Sequence, residues 1–407
     1  MDRHALRVLL LAGTLGLLQL TAVEAATSDS IIRVATNGVD SGTCGAEAQP
    51  CRTISQALLN ASDGQTILVG PGRYGDLNRN GTLGEAGEES AGNPDVKCMV
   101  NVDRSVAIYS QSGASVTTID AGPGFTSLDP DPDENNCVVR ITVAGVTFGA
   151  PGHGFTIDGR YVNGILLSGG SRILGNTIRG HFGDYLGFGI NLFSAQGTTI
   201  IADNIVTNLE FGIEVDDENA PGNVTPDVFV FRNRVTGNLQ GIDLYGNGLT
   251  AVTLNVIANN GGGISMSGDG AIIHRNAIVN NDFTGVLELF RLDAQRPHRI
   301  LGNGVIGNGS SGISFTDQPY QDQVHYNDIY GNGESLTQEA LNCGVYTEDI
   351  SAGGSSMVDA TQNFWGTASG PGANPADDAG SGSACQRGAL TVTTPFAAAS
   401  FSAFIQE

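Results

Sequence analysis

The sequence predicts an all-β solenoid in the form of a parallel β-helix, and three observations favour this fold class. A Gly-Ile or Gly-Val pair recurs eight times between Gly164 and Val345, at spacings of 25, 23, 29, 22, 22, 27 and 32 residues. Apolar and polar residues alternate after each pair, which indicates a strand. Gly and Asn stand between the runs, where their tolerance of positive φ permits bends. Self-similarity at such a period is typical of a solenoid.

Each recurring pair is expected to begin one strand of a single stack, with one strand in every coil. The pairs begin at Gly164, Gly189, Gly212, Gly241, Gly263, Gly285, Gly312 and Gly344. Side chains alternate along a strand, so Ile213 and Val215 are predicted to point inward, while Glu214 and Asp216 point outward. Aligning the pairs coil by coil therefore predicts which residues face solvent and which are neighbours.

A second series recurs in a matching phase, two residues before an Ile or Val. Its members are Asn176, Asp203, Asn233, Asn255, Asn276, Asn303 and Asn327. Stacked amides can hydrogen-bond along the axis and form a ladder. Asp203 would place a carboxylate in an amide position, which we interpret as a tolerated turn residue.

The N-terminal part predicts export and a cap. Residues 1–25 have a basic start, a short apolar run and a small-residue cleavage site, which are typical of a signal peptide. Residues 26–75 are expected to form the cap and first coil. Thr53 to Gln56 fits a capping box, and Ile54, Ala57, Leu58 and Ala61 fall on one face of the predicted short helix, which would cover the open end of the solenoid.

Residues 76–370 are predicted to form the β-helix, with acidic loops inserted at about 75–97, 122–136 and 216–226. Residues 371–407 are expected to form a C-terminal loop and a closing strand. No segment after the signal region has the roughly 20 apolar residues that a membrane span requires.

The formal net charge of −23, with a single lysine, disfavours nucleic acid and anionic membranes as partners. Such a surface favours cations or neutral ligands. We expect a monomer that is secreted or periplasmic.

The six cysteines of an exported chain predict disulfides. Cys44 and Cys51 are close in sequence and are expected to pair. Pairing by neighbourhood would add Cys98 with Cys137 and Cys343 with Cys385, although six cysteines allow 15 connectivities.

One loop resembles the first half of a calcium-binding loop. Asp76, Asn78 and Asn80 offer oxygen ligands at alternate positions and Gly81 follows them. The position of the usual bidentate acid is occupied by Gly87, with Glu85 and Glu88 on either side. Calcium is therefore one hypothesis, and a solvated acidic loop is the other.

The chain resembles the secreted right-handed parallel β-helix proteins of the pectin-lyase-like superfamily over almost its whole mature length. The resembling stretches are residues 32–38, 49–58, 61–74 and, near the other end, Asn363 to Pro371 with the sequence NFWGTASGP. The resemblance implies a right-handed solenoid. It is specific for fold and uninformative about activity, because one fold supports many functions.

The resemblance also implies that a polysaccharide or cell-surface glycan binds along the outer face of the Gly-Ile strands. Glu214, Asp216 and Asp243 are the candidate catalytic residues there. The candidate substrate-binding residues are Asn191, Phe193, Tyr245, Arg179 and Arg291. Glu214 and Asp243 are expected about 5 Å apart, and Asp216 and Asp243 on the order of 8 Å apart. These separations are typical of retaining and inverting glycosidases respectively, so the sequence does not choose between them.

Two classes of function remain open at this point. The chain is either an enzyme, of the polysaccharide lyase or glycoside hydrolase type, or a non-catalytic glycan-binding, adhesive or structural extracellular protein. The few aromatic residues near the predicted groove weaken the enzyme hypothesis, because sugar sites usually present aromatic platforms.

Overall fold

The computed structural model describes residues 31–90, 97–123, 136–160, 162–181, 187–194, 197–217, 227–246, 249–291, 296–317, 319–333, 343–347, 357–372 and 391–401. The predicted signal peptide and Cys385 lie outside the described residues. Within them, no helical segment has the length and apolarity that crossing a membrane requires.

The described strands stack into three parallel sheets, and successive strands of the chain enter the sheets in turn. The first sheet contains β1 Ile31–Val34, β2 Thr66–Val69, β5 Ala107–Ser110, β8 Thr147–Phe148, β11 Arg172–Leu174, β14 Thr199–Ala202, β17 Val228–Phe231, β20 Thr250–Thr253, β23 Ile272–His274, β26 Arg299–Leu301, β29 Gln323–His325, β32 Val358–Asp359 and β33 Thr391–Val392.

The other two sheets have ten strands each. The second contains β4 Lys97–Val102, β7 Asn136–Ile141, β10 Asn163–Ser168, β13 Phe188–Ser194, β16 Phe211–Asp217, β19 Gln240–Gly246, β22 Gly262–Gly268, β25 Val286–Phe290, β28 Ile313–Phe315 and β31 Val345–Thr347. The third contains β3 Gly72–Gly75, β6 Thr117–Asp120, β9 Thr156–Arg160, β12 Thr177–Gly180, β15 Ile205–Thr207, β18 Arg234–Thr236, β21 Val256–Ala258, β24 Ala277–Val279, β27 Gly304–Ile306 and β30 Asp328–Tyr330. The predicted parallel β-helix is confirmed.

The Gly-Ile strands all lie in the second sheet, in the predicted register. Ile190 pairs with Ile213, Ile213 with Ile242, and Ile242 with Ile264, and each of these side chains is fully buried. Glycine precedes them for a steric reason. A Cβ at Gly241 would lie 2.6 Å from the carbonyl oxygen of Gly263 in the next coil. The inward apolar rows of the three sheets together form one continuous core.

The predicted asparagine ladder is present, but its second member is Asn204 and the prediction of Asp203 is wrong. Asn176 donates to Asn204 Oδ1, and Asn204 donates to Asn233 Oδ1 at 3.0 Å. The ladder continues through Asn255, Asn276, Asn303, Asn327 and Asn363. Asp203 lies outside it at a φ of 59°, in an ion pair with Arg232. The two neighbours are both two residues before an apolar residue, so the pattern alone did not separate them.

A second ladder was missed by the sequence pattern. It joins Asn238, Asn260, Asn281, Asn308 and Asn332, at the bend between the third and second sheets. All five side chains are buried, and their amides satisfy carbonyls of the preceding coil. The signal was an asparagine three or four residues before the pairs that begin at Gly241, Gly263, Gly285 and Gly312.

The capping helix α1 spans Ile54–Asn60, and Ile54, Ala57 and Leu58 are buried beneath it as predicted. The Thr53 hydroxyl accepts the N–H of Gln56, which is half of the predicted capping box. The other half is absent, because Gln56 donates to Asn60 and the N–H of Thr53 is taken by Asp40.

Two of the predicted disulfides are confirmed, Cys44–Cys51 and Cys98–Cys137. Cys343 is also disulfide-bonded. In the region predicted to close the chain, the short strand β33 pairs in parallel with β32.

Candidate functional site

Four polar side chains form a row on the outer face of the second sheet, and we call them the acid row: Asn191, Glu214, Asp243 and Ser265. They occupy equivalent positions in four successive strands, because Asn191 pairs with Glu214, Glu214 with Asp243, and Asp243 with Ser265. Consecutive strands lie about 4.8 Å apart, so these side chains are direct neighbours.

Hydrogen bonds tie the acid row together at both ends. Asn191 Nδ2 donates to Glu214 Oε2 at 3.0 Å. The Ser265 hydroxyl donates to Asp243 Oδ1. The row therefore consists of two stacked carboxyl groups, each held by a neutral side chain on its outer side.

The electrostatics of the row favour protonated carboxyl groups. Burial and, to a smaller extent, the neighbouring Asp243, Asp216 and Glu210 together raise the pKa of Glu214 to about 8. Burial also raises the pKa of Asp243, although hydrogen bonds from Ser265 and from the backbone N–H of Leu244 oppose this effect. At neutral pH Glu214 is mostly a neutral acid, and its proton can be donated to an oxygen of a ligand.

Asp216 and Tyr245 form a second outward pair next to the acid row, and they are in register with each other. The ring of Tyr245 meets the ring of Phe290 edge to face, with centroids 5.9 Å apart. Phe290 is 38% exposed. Sequence alternation did not identify Phe290, because a bulge shifts the register between β22 and β25 and places it opposite Ser267.

Phe193 lies in the same sheet and on the same side as the acid row, but its contacts are with a different cluster. It packs against Leu166 and the Cys98–Cys137 disulfide. The position of Phe193 therefore limits its predicted role in ligand binding to the N-terminal coils of this face.

Arg179 was predicted to adjoin the acids, but the structure places it in the third sheet, in strand β12. Its Nε and Nη2 atoms lie 3.0 and 2.7 Å from Asp158 Oδ2, and His181 Nε2 lies 3.1 Å from Asp158 Oδ1. The alternation rule places a residue on a face but leaves the choice of sheet to the bends, which explains the error.

Arg291 was also predicted to lie beside the groove, and it is instead 2% exposed. Its guanidinium contacts Asp322 Oδ1 at 2.5 Å, Asp269 Oδ1 at 3.4 Å and Glu288 Oε1 at 3.5 Å. Glu288 points inward because it follows the buried Val286 by two residues and pairs with the core residue Met266, before the bulge begins. Burial raises the pKa of Glu288 to about 7. Arg291 thus neutralises buried carboxylates.

The five residues of the candidate calcium loop lie together, and most of their side-chain oxygens accept hydrogen bonds from donors of the loop, whereas Glu88 Oε2 is buried without such a donor. Asp76 accepts the N–H groups of Arg79 and Gly81 at 2.6 and 2.8 Å. Glu88 accepts those of Leu77 and Asn78, at 2.9 and 3.0 Å. The Glu85 carboxylate accepts hydrogen bonds from the side-chain amides of Asn78 and Asn80. Among the described residues, no group of three or more His, Cys, Asp or Glu side chains is arranged to hold a metal ion.

Several solved structures are similar to this chain in fold. The A-module of mannuronan C-5 epimerase AlgE6 from Azotobacter vinelandii is 16% identical, over 85% of this chain and 93% of that chain, with a TM-score of 0.48. Pectate lyase Pel9A is 15% identical, over 92% and 80% of the two chains, with a TM-score of 0.45. The periplasmic alginate epimerase AlgG is 18% identical, over 66% and 72%, with a TM-score of 0.36. No curated protein matches the sequence significantly.

One protein family is recognised in the sequence itself. The family is NosD, described as periplasmic copper-binding protein, and its model matches residues 141–370. That segment is more than half of the 407 residues, and it includes the acid row and both asparagine ladders. The chain belongs to the NosD family.

Proposed function

We propose that this protein binds a polysaccharide along the outer face of the second sheet, with the acid row as its polar floor. The observation that carries the proposal is the register of Asn191, Glu214, Asp243 and Ser265, which places four hydrogen-bonding side chains in one line. A linear polymer of hydroxylated rings matches such a line. Tyr245 and Phe290 supply an adjoining aromatic surface of the kind that sugar rings pack against.

The protonation state of the row supports a neutral sugar as ligand. A protonated Glu214 both donates and accepts hydrogen bonds, as sugar hydroxyls do. The net charge of −23 opposes the binding of an anionic polymer. In keeping with the periplasmic description of the family, we propose that the protein works outside the cytoplasm, as a monomer.

Acid–base catalysis on the bound glycan is the second candidate function, favoured by the raised pKa of Glu214 beside two further carboxyl groups. A general acid that is still protonated at neutral pH is what glycoside cleavage requires of one member of a carboxyl pair. Asp243 or Asp216 would then serve as the partner carboxylate.

Copper is the ligand in the family's description, and the described residues fit it poorly. Copper prefers cysteine, methionine and histidine ligands. Every described cysteine is disulfide-bonded, and two of the three described methionines, Met99 and Met266, are buried in the apolar core. The described histidines belong to no group of three or more His, Cys, Asp or Glu side chains that could hold a metal ion. We therefore derive no step of the function from copper.

Calcium in the Asp76 loop stays a proposal. An ion there would replace the amide groups of Asn78 and Asn80 at the Glu85 carboxylate and use the same oxygens. If it binds, the melting temperature should fall on addition of a chelator and recover with calcium, because a ligand held only by the folded state stabilises it. A melting temperature that ignores both additions would refute the proposal.

The proposed function is tested by affinity electrophoresis in gels that contain dextran, galactomannan, xylan, alginate or polygalacturonate. We expect a neutral polymer to retard the wild-type protein. Glu214→Ala and Asp243→Ala should each weaken binding about 2- to 12-fold, the equivalent of one hydrogen bond. Glu47→Ala, which removes an 84% exposed acid far along the chain, is the control. Unchanged retardation in both row variants would contradict the proposal.

Catalysis is separated from binding by Glu214→Gln. At neutral pH the amide resembles the protonated acid in shape and in hydrogen bonding, so binding should persist. Any release of reducing or unsaturated ends should be lost, because an amide cannot transfer the proton. If wild-type protein yields no product from any polymer that it binds, the second candidate is rejected and the first remains.

A further inference from the structure

A small cleft opens at the corner between the second and first sheets, where β19 and β22 end. Its polar lining comes from Tyr245, Thr250, Ser267, Asp269 and His298. The space within it is about 10 Å³, which suffices for one water-sized group. Tyr245 belongs to the face described above, so the cleft adjoins the acid row.

His298 is the unusual side chain of this cleft. It is 1% exposed, and its Nδ1 accepts the backbone N–H of Ala271 at 3.2 Å. Burial and the nearby Arg291 lower the pKa of His298 to about 3, against the opposing effects of Asp269 and the Gly268 carbonyl. The ring is therefore neutral, and its proton must reside on Nε2. That Nε2–H is buried and makes no hydrogen bond of full geometry, although the Gly268 carbonyl lies close to the ring.

The chemistry of the cleft selects the kind of group that can enter. An Nε2–H donor requires an acceptor atom, and a nitrogen that carries a proton does not ligate a metal ion. The surrounding carboxylates of Asp269 and Asp322 both contact Arg291, and their negative charge disfavours a further anion. A neutral oxygen of hydroxyl size satisfies the donor and fits the volume.

We propose that this cleft receives one hydroxyl group of a neutral sugar ring that packs against Tyr245, and that His298 donates its Nε2–H to the hydroxyl oxygen. The inference rests on the proposed function, since the ring belongs to the glycan bound along the acid row. It assigns to His298 a part in selecting hydroxylated neutral sugars over uronic acids.

Two substitutions at one position separate the ligand contact from the structural contact. Asn in place of His298 keeps an acceptor near the Nδ1 position for Ala271 but removes the donor at Nε2. Gln keeps a donor near the Nε2 position but removes the acceptor. A third variant, Thr250→Val, removes another hydroxyl from the cleft with little change of shape and remains usable if a His298 variant does not fold.

The test uses the full chain labelled with ¹⁵N-histidine, methyl glucoside and glucuronate as probes, and the neutral polymer identified by electrophoresis. We expect methyl glucoside to shift the His298 Nε2 resonance, glucuronate to leave it unchanged, and the other histidines to stay still. His298→Asn and Thr250→Val should weaken binding of the polymer about 2- to 12-fold, the equivalent of one hydrogen bond, and His298→Gln much less.

The possible failures are distinguishable. If the polymer retards the His298→Asn and Thr250→Val variants as strongly as the wild type, the cleft lies outside the binding site and the inference is overturned, while the proposed function stands. A His298 resonance that ignores methyl glucoside, with binding of the polymer intact, means that the cleft holds water only and overturns it as well. If no polymer retards the wild-type protein, the proposed function fails and the inference fails with it.

Discussion

At the residue scale, the properties of the acid row come from neighbours that the fold supplies. Glu214 is one of 42 acidic residues, and the Gly212-Ile213 pair before it indicates that its side chain points outward but not that its pKa is raised. Its raised pKa results from burial and from Asp243, which is distant in sequence and adjacent in the next coil. The direction in which Glu214 points could be predicted by alternation. The pKa could not, because it depends on how closely the coils pack.

Glu214 should make the stability of the protein depend on pH. Its pKa is about 8 in the folded state and near 4.5 in the unfolded chain, so the folded state binds the proton more tightly. Ionisation of Glu214 in the folded state therefore lowers the free energy of unfolding. This loss of stability is absent below pH 4.5, grows as the pH rises from there to about 8, and is complete above that range. Glu214→Gln should therefore gain stability over the wild type as the pH rises, measured by urea unfolding. A constant difference across the range would contradict the assigned pKa, and Glu47→Gln should show no such trend.

Arg291 and Arg179 should differ sharply when replaced by methionine. Removal of Arg291 leaves the carboxylates of Asp269 and Asp322 buried without their cation, at a cost of about 3–5 kcal/mol. Arg179 is 48% exposed and His181 stays beside Asp158, so its loss should cost about 1 kcal/mol or less. Urea unfolding of the Arg291→Met and Arg179→Met variants and of the wild type gives the free energies of unfolding to be compared. Equal costs would show that Arg291 is not a buried counter-ion.

At the scale of the element, the bends determine the register of the strands. The Gly-Ile pairs fixed the second sheet because steric exclusion at glycine and burial at isoleucine act in every coil. The asparagine ladder was predicted with one position misplaced, since Asp203 and Asn204 fit the same loose pattern. The bulge between β22 and β25, which turns Phe290 outward, left no signal in the sequence.

The corrected ladder predicts opposite outcomes for two adjacent substitutions. Asn204→Asp should destabilise the protein by about 3 kcal/mol or more, because it removes the donors to Ile173 O and Asn233 Oδ1 and buries a charge. Asp203→Asn keeps a residue that tolerates positive φ and loses a half-exposed ion pair, so it should cost under about 1 kcal/mol. Thermal unfolding of the two variants decides the assignment. Similar costs, or the reverse order, would restore Asp203 to the ladder.

At the scale of the whole molecule, the solenoid turns a repeat in the sequence into lines of equivalent side chains. Residues separated by 22 to 29 positions become neighbours about 4.8 Å apart, which is why two carboxyl groups and two neutral partners stand in one row. This much followed from aligning the repeats. The positions of Arg179 and Arg291 could not be predicted in this way, because loops of unequal length lie between the repeats and shift residues to another sheet or into the core.

A crystal structure of the protein with an oligosaccharide of the polymer that it binds would show whether the glycan lies along the acid row. We predict sugar rings on the outer face of the second sheet, with hydroxyl groups within hydrogen-bond distance of Glu214 and Asp243 and one ring against Tyr245. Rings bound to the first or third sheet, with the acid row free, would contradict the account.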